Sequence, residues 1–390
     1  MAILRTAVVG TGFIGPVHVE AIRRLGHTVV GVLGSSPGKS TDTAASLNIP
    51  HGYASFNEVL ADTTVDVVVL ASPNVLHFEQ TKQVIHAGKH VVCEKPLAMN
   101  TTQTAELVAL ANRHPNLVTA VNYNCRFYPC VLELRARREA MSKLLHVSGA
   151  YLQDWLLWPT DFNWRVIAAE GGALRSVADI GTHWLDTVQF ITGRKVEAVF
   201  ADLQTVHPTR HKPVGGSDTF TGSANTQRAG TPVTIDTEDA GMLLLRLAGG
   251  GRGCVAISQV SAGKKNSLRF ELACANSSAS WDSEDPNTLH LGYRDKPNER
   301  LVRDPGLMHA SVGPYANYPG GHAEGFPDTF KQFYRAVFAD ILRPVDQRER
   351  LYATFEDGHR EVTFCEAVLR SHTEQRWVEL QGRANLPVSH

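Results

Sequence analysis

Residues 6–15 read Thr-Ala-Val-Val-Gly-Thr-Gly-Phe-Ile-Gly, and the helical run 16–25 follows at once. A short β-branched stretch, a GxGxxG loop and then a helix is the order in which a parallel strand hands over to a helix whose N-terminus receives a pyrophosphate. Gly10 permits the tight turn, Gly12 lets the backbone approach the phosphates, and Gly15 lets helix and strand pack closely. Phe13 and Ile14 belong to the same phosphate site.

Outward from that loop, short apolar runs at 6–9, 28–33, 67–71, 90–94 and 118–122 alternate with helical stretches starting near residues 15, 38, 56, 76 and 101. Such alternation predicts βαβ units and a doubly wound parallel sheet, a Rossmann domain over 1–122. Beyond Arg126 the segments lengthen: strands are expected at 145–154, 196–205, 240–247, 253–261, 267–273 and 288–293, with helices at 126–143, 181–193, 324–342 and 360–372. The chain is therefore read as α/β. Its second domain, over 123–390, carries a large, mostly antiparallel open sheet. Residues 207–232, rich in Pro, Gly, Ser and Thr and without apolar period, are expected to be a mobile connection.

With 390 residues, 43% of them hydrophobic and 20% charged, the chain exceeds what one core usually organises. A net charge of −1 offers nothing to nucleic acid or anionic lipid, which points to small-molecule partners. The six cysteines form no CxxC pair and no zinc spacing, so a reducing compartment is expected. The N-terminus runs directly into a strand and no run of 18 apolar residues occurs, so the expectation is a cytoplasmic protein without a membrane span. His207 and His211 could be offered to a metal, but they lie in the loose connection, and no metal site is expected.

Ligands of open parallel sheets bind at the carboxyl ends of the strands. After the second strand comes Gly34-Ser35-Ser36-Pro37-Gly38-Lys39, without the acid that usually binds the NAD ribose. The hydroxyls of Ser35 and Ser36 with Lys39 can hold a 2′-phosphate, or the serines can simply begin the next helix, and the choice between NAD and NADP stays open. The third strand ends in Ser72-Pro73-Asn74, with His77 one turn on; the fourth ends in Glu94-Lys95-Pro96; the fifth ends at Asn122. These segments should line one crevice. Pro96 keeps Lys95 extended at the strand tip, where its ammonium can donate to a hydroxyl or carbonyl oxygen. A bound, oxidised nicotinamide would make it easier to deprotonate.

Asp179-Ile180-Gly181-Thr182-His183 places an acid and a histidine four residues apart, on one face of a helix. Asp179 can accept from a substrate hydroxyl or orient a base, and His183 can carry a proton near neutral pH. Such a pair serves equally as a helix cap with an internal hydrogen bond.

In their order and spacing, GxGxxG, Glu94-Lys95-Pro96 and Asp179-x-Gly181-x-His183 resemble the glucose–fructose oxidoreductase/inositol dehydrogenase (Gfo/Idh/MocA) family over nearly the whole chain. The resemblance implies NAD or NADP, a sugar, glycoside or cyclitol substrate oxidised or reduced at a carbinol carbon, and a homodimer or homotetramer formed through the second domain's sheet. By the same resemblance Lys95 is the catalytic lysine, Asp179 its polar partner at the substrate and His183 the general acid/base. Tyr151-Leu152-Gln153-Asp154-Trp155 and Trp164-Arg165 are similar to the levoglucosan dehydrogenase branch, which acts on pyranosides, often at C3. There Trp155 and Trp164 offer aromatic faces to a sugar, Gln153, Asp154 and Arg165 read its hydroxyls, and Trp164 and Arg165 also flank the nicotinamide; a core strand with packed tryptophans is the plainer alternative. Tyr123, Asn124 and Arg126 join the implied substrate site, although Cys125 stands where relatives commonly carry a tyrosine, and it is read as a packing residue. Two further outcomes fit the same residues: a glycosidase that uses bound NAD transiently, and a non-enzymatic dinucleotide-responsive regulator.

Overall fold

The structure is a computed structural model that describes residues 2–213 and 230–380. Strands β1 (Arg5–Val9), β2 (Thr28–Leu33), β3 (His51–Gly52), β4 (Val67–Leu70), β5 (His90–Cys93) and β6 (Thr119–Val121) form a parallel sheet in the order β3-β2-β1-β4-β5-β6. Between them run α1 (Ile14–Arg24), α2 (Pro37–Ser46), α3 (Phe56–Ala61), α4 (Asn74–His86) and α5 (Thr101–Arg113). The valine-rich strands are covered on both faces; all four residues of β4 are fully buried. Strand β3 escapes the sequence reading because its two residues carry no apolar run. Order reverses between β1 and β4, which opens a crevice at their carboxyl ends.

The remaining elements are α6 (Pro129–Met141), β7 (Leu144–Leu152), α7 (Ala168–Gly171), α8 (Thr182–Thr192), β8 (Val196–Gln204), β9 (Thr209–Pro213), β10 (Gly230–Thr234), β11 (Ala240–Leu247), β12 (Arg252–Ser258), β13 (Ser267–Cys274), β14 (Ser278–Asp282), β15 (Thr288–Gly292), β16 (Glu299–Val302), α9 (Phe326–Ile341), α10 (Phe355–Glu374) and β17 (Val378–Glu379). Nine strands form one sheet in the order β16-β15-β14-β13-β7-β12-β11-β8-β17. It is antiparallel except where β12 runs parallel to β7. Strand β11 shows the two-residue alternation of a half-covered sheet: Leu243, Leu245 and Leu247 are buried beneath the helices, whereas Met242 and Leu244 face out.

Two features depart from the sequence reading. The ends of the expected connection 207–232 are strands, β9 and β10, paired antiparallel; residues 214–229 lie outside the described residues. Arg210 of β9 is fully buried, meets Asp239 at 2.6 Å and donates to the carbonyls of Leu156, Trp158 and Asp161. A ribbon tied down by a guanidinium has no apolar periodicity to read. The C-terminal part of the chain, moreover, returns to the first sheet: α9 packs on α1, α10 packs on α5, and Val121 donates to Ala353 at 2.9 Å.

Candidate active site

The loop after β1 has the geometry its glycines suggest. Gly10 has φ +111°, and a Cβ there would lie 2.2 Å from the Ala71 carbonyl oxygen, so only glycine fits. A Cβ on Gly15 would lie 2.2 Å from the Gly10 oxygen, whereas Gly12 faces open space on the cleft wall. Helix α1 starts without a side-chain cap and without an acid in its first turn. Its N-terminus is thus left for an anion. An adjacent glycine with room beside it, at an uncapped helix start, fits a dinucleotide pyrophosphate.

A cleft of about 1060 Å³ runs from this loop to the second domain. Of the expected cofactor residues, Gly10, Gly12, Phe13, Ile14, Ser35, Ser72, Pro73, Asn74, His77, Glu94, Lys95, Pro96, Asn122, Trp164 and Arg165 line it. Gly15 lies beneath Gly10. Ser36 does not line the cleft: its hydroxyl accepts from Lys39 N at 3.3 Å and caps α2, because an extended residue ahead of a helix is placed to satisfy the first free N–H groups. Ser35 instead shares the wall with Lys39, Asp42 and Thr43. Several lining residues also brace the walls. His77 is fully buried between the carbonyls of Ser72 and Pro96, at 2.9 and 2.7 Å, and ties two ligand loops together. Asn74 Nδ2 crosses to the Gly171 carbonyl at 3.0 Å, joining the first domain to the second.

Glu94 is held by two side chains. Its Oε1 accepts from Asn122 Nδ2 at 2.6 Å and meets His18 Nε2 at 3.0 Å, while the far ring nitrogen of His18 meets the Tyr334 hydroxyl at 2.7 Å. Burial opposes ionisation of Glu94, but the contacts with His18 and Asn122 hold its carboxyl down to about 2. His18 and Tyr334 are fully buried on α1 and α9, and no motif marked them in the sequence.

Lys95, Asp179 and His183 come together at the domain junction. Lys95 Nζ donates to Asp179 Oδ1 at 2.6 Å and to the Asp179 carbonyl at 2.8 Å. An ammonium has three N–H groups, so one is left for a ligand oxygen. Asp179 lies in a single π turn, Val177–Gly181, that runs directly into α8, where His183 sits. The widened turn is itself capped: the Glu238 carboxylate accepts from the backbone N–H of Arg175 at 2.9 Å and of Val177 at 2.8 Å. Burial opposes the Asp179 charge, but Lys95 and Arg165, whose Nε is 3.6 Å away, hold the carboxyl well below its usual range. His183 is pushed the other way from a cation: burial first, and then the Lys95 charge, depress it to about 3. The ring is neutral at physiological pH. Its Nδ1 is buried and has no hydrogen-bond partner among the described residues.

The expected substrate residues divide. Asn124, Tyr151, Gln153 and Arg165 line the cleft with the Lys95 cluster, and Arg165 stacks 4.5 Å from the Trp164 ring centre. Trp155 is off the lining and donates its Nε1–H to Gln153 Oε1 at 2.9 Å. Asp154 likewise turns away, to Lys265 Nζ at 2.7 Å. Tyr123 is buried, its ring edge-on to His183 with centroids 5.4 Å apart, so it backs that imidazole rather than facing the cleft. Arg126 is a correction: its buried guanidinium is held by Asp186 and, at 3.1 Å, by Asp357. Two carboxylates beneath the floor outcompete any ligand for it. Gln259 and Asn266 carry no sequence signal, being single amides in unpatterned sequence. Gln259 Nε2 donates to Asp179 Oδ2 at 2.8 Å, and Asn266 Oδ1 accepts from the Tyr151 hydroxyl and Gln153 Nε2.

Among the described residues no three His, Cys, Asp or Glu side chains converge as metal ligands, and no helix is long and apolar enough to cross a membrane.

Residues 4–123 match a family model described as an oxidoreductase family with an NAD-binding Rossmann fold, and residues 135–280 match the GFO/IDH/MocA C-terminal domain. The chain belongs to the Gfo/Idh/MocA family. It is thus an oxidoreductase that uses NAD or NADP. It is 26% identical to the levoglucosan dehydrogenase of Pseudarthrobacter phenanthrenivorans, over 97% of this chain and 98% of that one. It is 30% identical to the NADP+-dependent scyllo-inositol 2-dehydrogenase of Bacillus subtilis over a shorter stretch, 38% of this chain and 46% of that one. A levoglucosan dehydrogenase solved with NADH and levoglucosan shares the fold with a TM-score of 0.86 at 23% identity, covering 98% of this chain and all of that one.

Proposed function

We propose that this protein is a dehydrogenase or reductase of a sugar, glycoside or cyclitol, with C3 of a pyranoside as the favoured position. The observation that carries the reading is the cluster of Lys95, Asp179 and neutral His183 on the wall of a cleft that begins at the phosphate loop. When bound, the nicotinamide supplies the hydride acceptor or donor, and the lining residues from Gly12 to Asn122 would hold the dinucleotide. The remaining Lys95 N–H donates to the reacting oxygen and stabilises negative charge as it develops there. Neutral His183 takes the hydroxyl proton in oxidation and returns it in reduction. Asp179 holds the Lys95 ammonium in place. Asn124, Gln153 and Arg165 read the other hydroxyls, and the Trp164 face suits the apolar side of a ring.

The similarity to levoglucosan and inositol dehydrogenases supports a polyhydroxylated substrate. We divide the chain functionally at residues 122/123 and place it in the cytosol, in keeping with its six free thiols. A homodimer or homotetramer would cover the outward face of the nine-stranded sheet, where Met242 is 60% and Leu244 48% exposed.

The test is anaerobic incubation with a panel of sugars, glycosides and cyclitols and with each dinucleotide, following absorbance at 340 nm and products by mass spectrometry. Reduced cofactor accumulating in step with a keto product is the expected result. Release of sugar and aglycone without net reduction would instead mark a redox-assisted glycosidase. Lys95→Met and His183→Gln should each lower kcat by roughly 10²-fold or more; near-wild-type turnover in both would refute the assignment.

A further inference from the structure

The geometry points to Gln259 as a positioning residue that holds the Asp179 carboxylate in the orientation Lys95 requires; this rests on the reading that Lys95, Asp179 and His183 carry the chemistry. The two Asp179 oxygens have different partners. Oδ1 faces the Lys95 ammonium at 2.6 Å and Arg165 at 3.6 Å, whereas Oδ2 accepts from Gln259 Nε2 at 2.8 Å. Rotation of a carboxylate about its last bond is soft, so a carboxylate held from one side only is free to turn. Both oxygens would then compete for the ammonium, and the Lys95 N–H kept for the substrate would be drawn toward Asp179.

Gln259 is built to prevent this. It follows β12, in the interior of the nine-stranded sheet, and it is fully buried. Its backbone is clamped on both sides: its N–H donates to the Asp239 carbonyl at 3.0 Å, and its carbonyl accepts from Leu156 N–H at 3.2 Å. The amide Oε1 is buried with no partner among the described residues. Nothing at that end fixes the amide, so the carboxylate does: a flipped amide would set oxygen against oxygen. The charged and titratable groups facing Asp179 are Lys95 after β5, Tyr151 on β7, Arg165 before α7 and His183 on α8. Gln259 is a neutral donor among them, and it fastens the oxygen that Lys95 and Arg165 leave.

Two variants test this, measured on the full chain with the substrate identified by the panel above. Gln259→Leu removes the donor at similar volume; kcat should fall about tenfold or more, with the KM of the dinucleotide unchanged. Gln259→Glu is near-isosteric but pairs two carboxyl groups. At low pH they share a proton and keep the contact, and as pH rises both ionise and repel. The ratio of variant to wild-type kcat should therefore decline steadily between about pH 5 and 9. A purely structural role would lower that ratio equally at every pH. Gln259→Leu with wild-type kcat, or a Gln259→Glu ratio that is flat with pH, overturns the proposal. Should Gln259→Leu not fold, the pH dependence of Gln259→Glu decides alone. If Lys95→Met keeps its activity, the fault lies with the parent reading and not with Gln259.

Discussion

Replacing Lys95 with methionine should change the proton affinity of His183. In the wild-type cleft, burial and then the Lys95 charge lower that histidine from 6.5 to about 3, a preference for the neutral ring of roughly 5 kcal/mol. Methionine keeps most of the side-chain volume but removes the cation, and it leaves the Asp179 carboxylate, held by Arg165 and Gln259, with one positive neighbour fewer. Both changes favour imidazolium. Lys95 is the leading cause of the shift after burial; one charge ~8 Å away acting through an effective dielectric of about 20 is worth on the order of 2 kcal/mol, so the His183 midpoint should rise by about one pH unit. The assay is an NMR titration of the imidazole Cε1–H signals, with His183 among the chain's 17 histidines identified by its absence in His183→Gln. The same displacement has a stability signature. Between pH 6.5 and about 3 the unfolded chain binds a proton at this position that the folded chain refuses. Its stabilising contribution is therefore complete above pH 6.5 and lost as pH falls toward 3, with a slope of at most about 1.4 kcal/mol per pH unit. His183→Gln should abolish that slope. A wild-type His183 that titrates at its ordinary value, or a midpoint unmoved by Lys95→Met, would refute the electrostatic reasoning.

Arg126→Met should destabilise the fold by about 3–5 kcal/mol, read as a lower denaturant midpoint, because Asp186 and Asp357 would lose their buried partner; a raised substrate KM at unchanged stability would return Arg126 to the substrate site. Gly12→Val should fold normally, since its Cβ position is open, yet weaken dinucleotide binding measured by calorimetry, whereas Gly10→Ala should express poorly, with its Cβ placed 2.2 Å from a carbonyl oxygen. If the outward sheet face joins subunits, Leu244→Asp should yield a smaller species in light scattering while the monomer keeps its circular dichroism; an unchanged mass would remove that face from the interface.

Much of this protein could be read from local sequence because its signals are local. The β1 strand, the three glycines and α1 are consecutive; Gly10 and Gly15 are required by contacts within that unit or just after the neighbouring β4, and Gly12 leaves open space beside the loop. Lys95 and Asn74 follow strands whose burial writes an apolar run, so their place at the carboxyl edge of the sheet follows from the strand pattern. Asp179 and His183 are likewise linked by helical spacing, although the π turn between them carries no local mark. The tertiary structure decided which partner each polar group meets. Arg126 reads as a ligand group in the sequence, but Asp186 and Asp357, from α8 and α10, hold it in the structure. The buried Arg210 anchors a ribbon that composition alone presented as loose. Gln259 reaches Asp179 only because the π turn packs against β12, and His18 reaches Glu94 in a pocket closed by α9 from the far end of the chain. Hydrophobic period and turn chemistry are properties of adjacent residues, whereas a hydrogen bond between side chains tens or hundreds of positions apart depends on strand order and helix docking, which the packing of the whole chain sets.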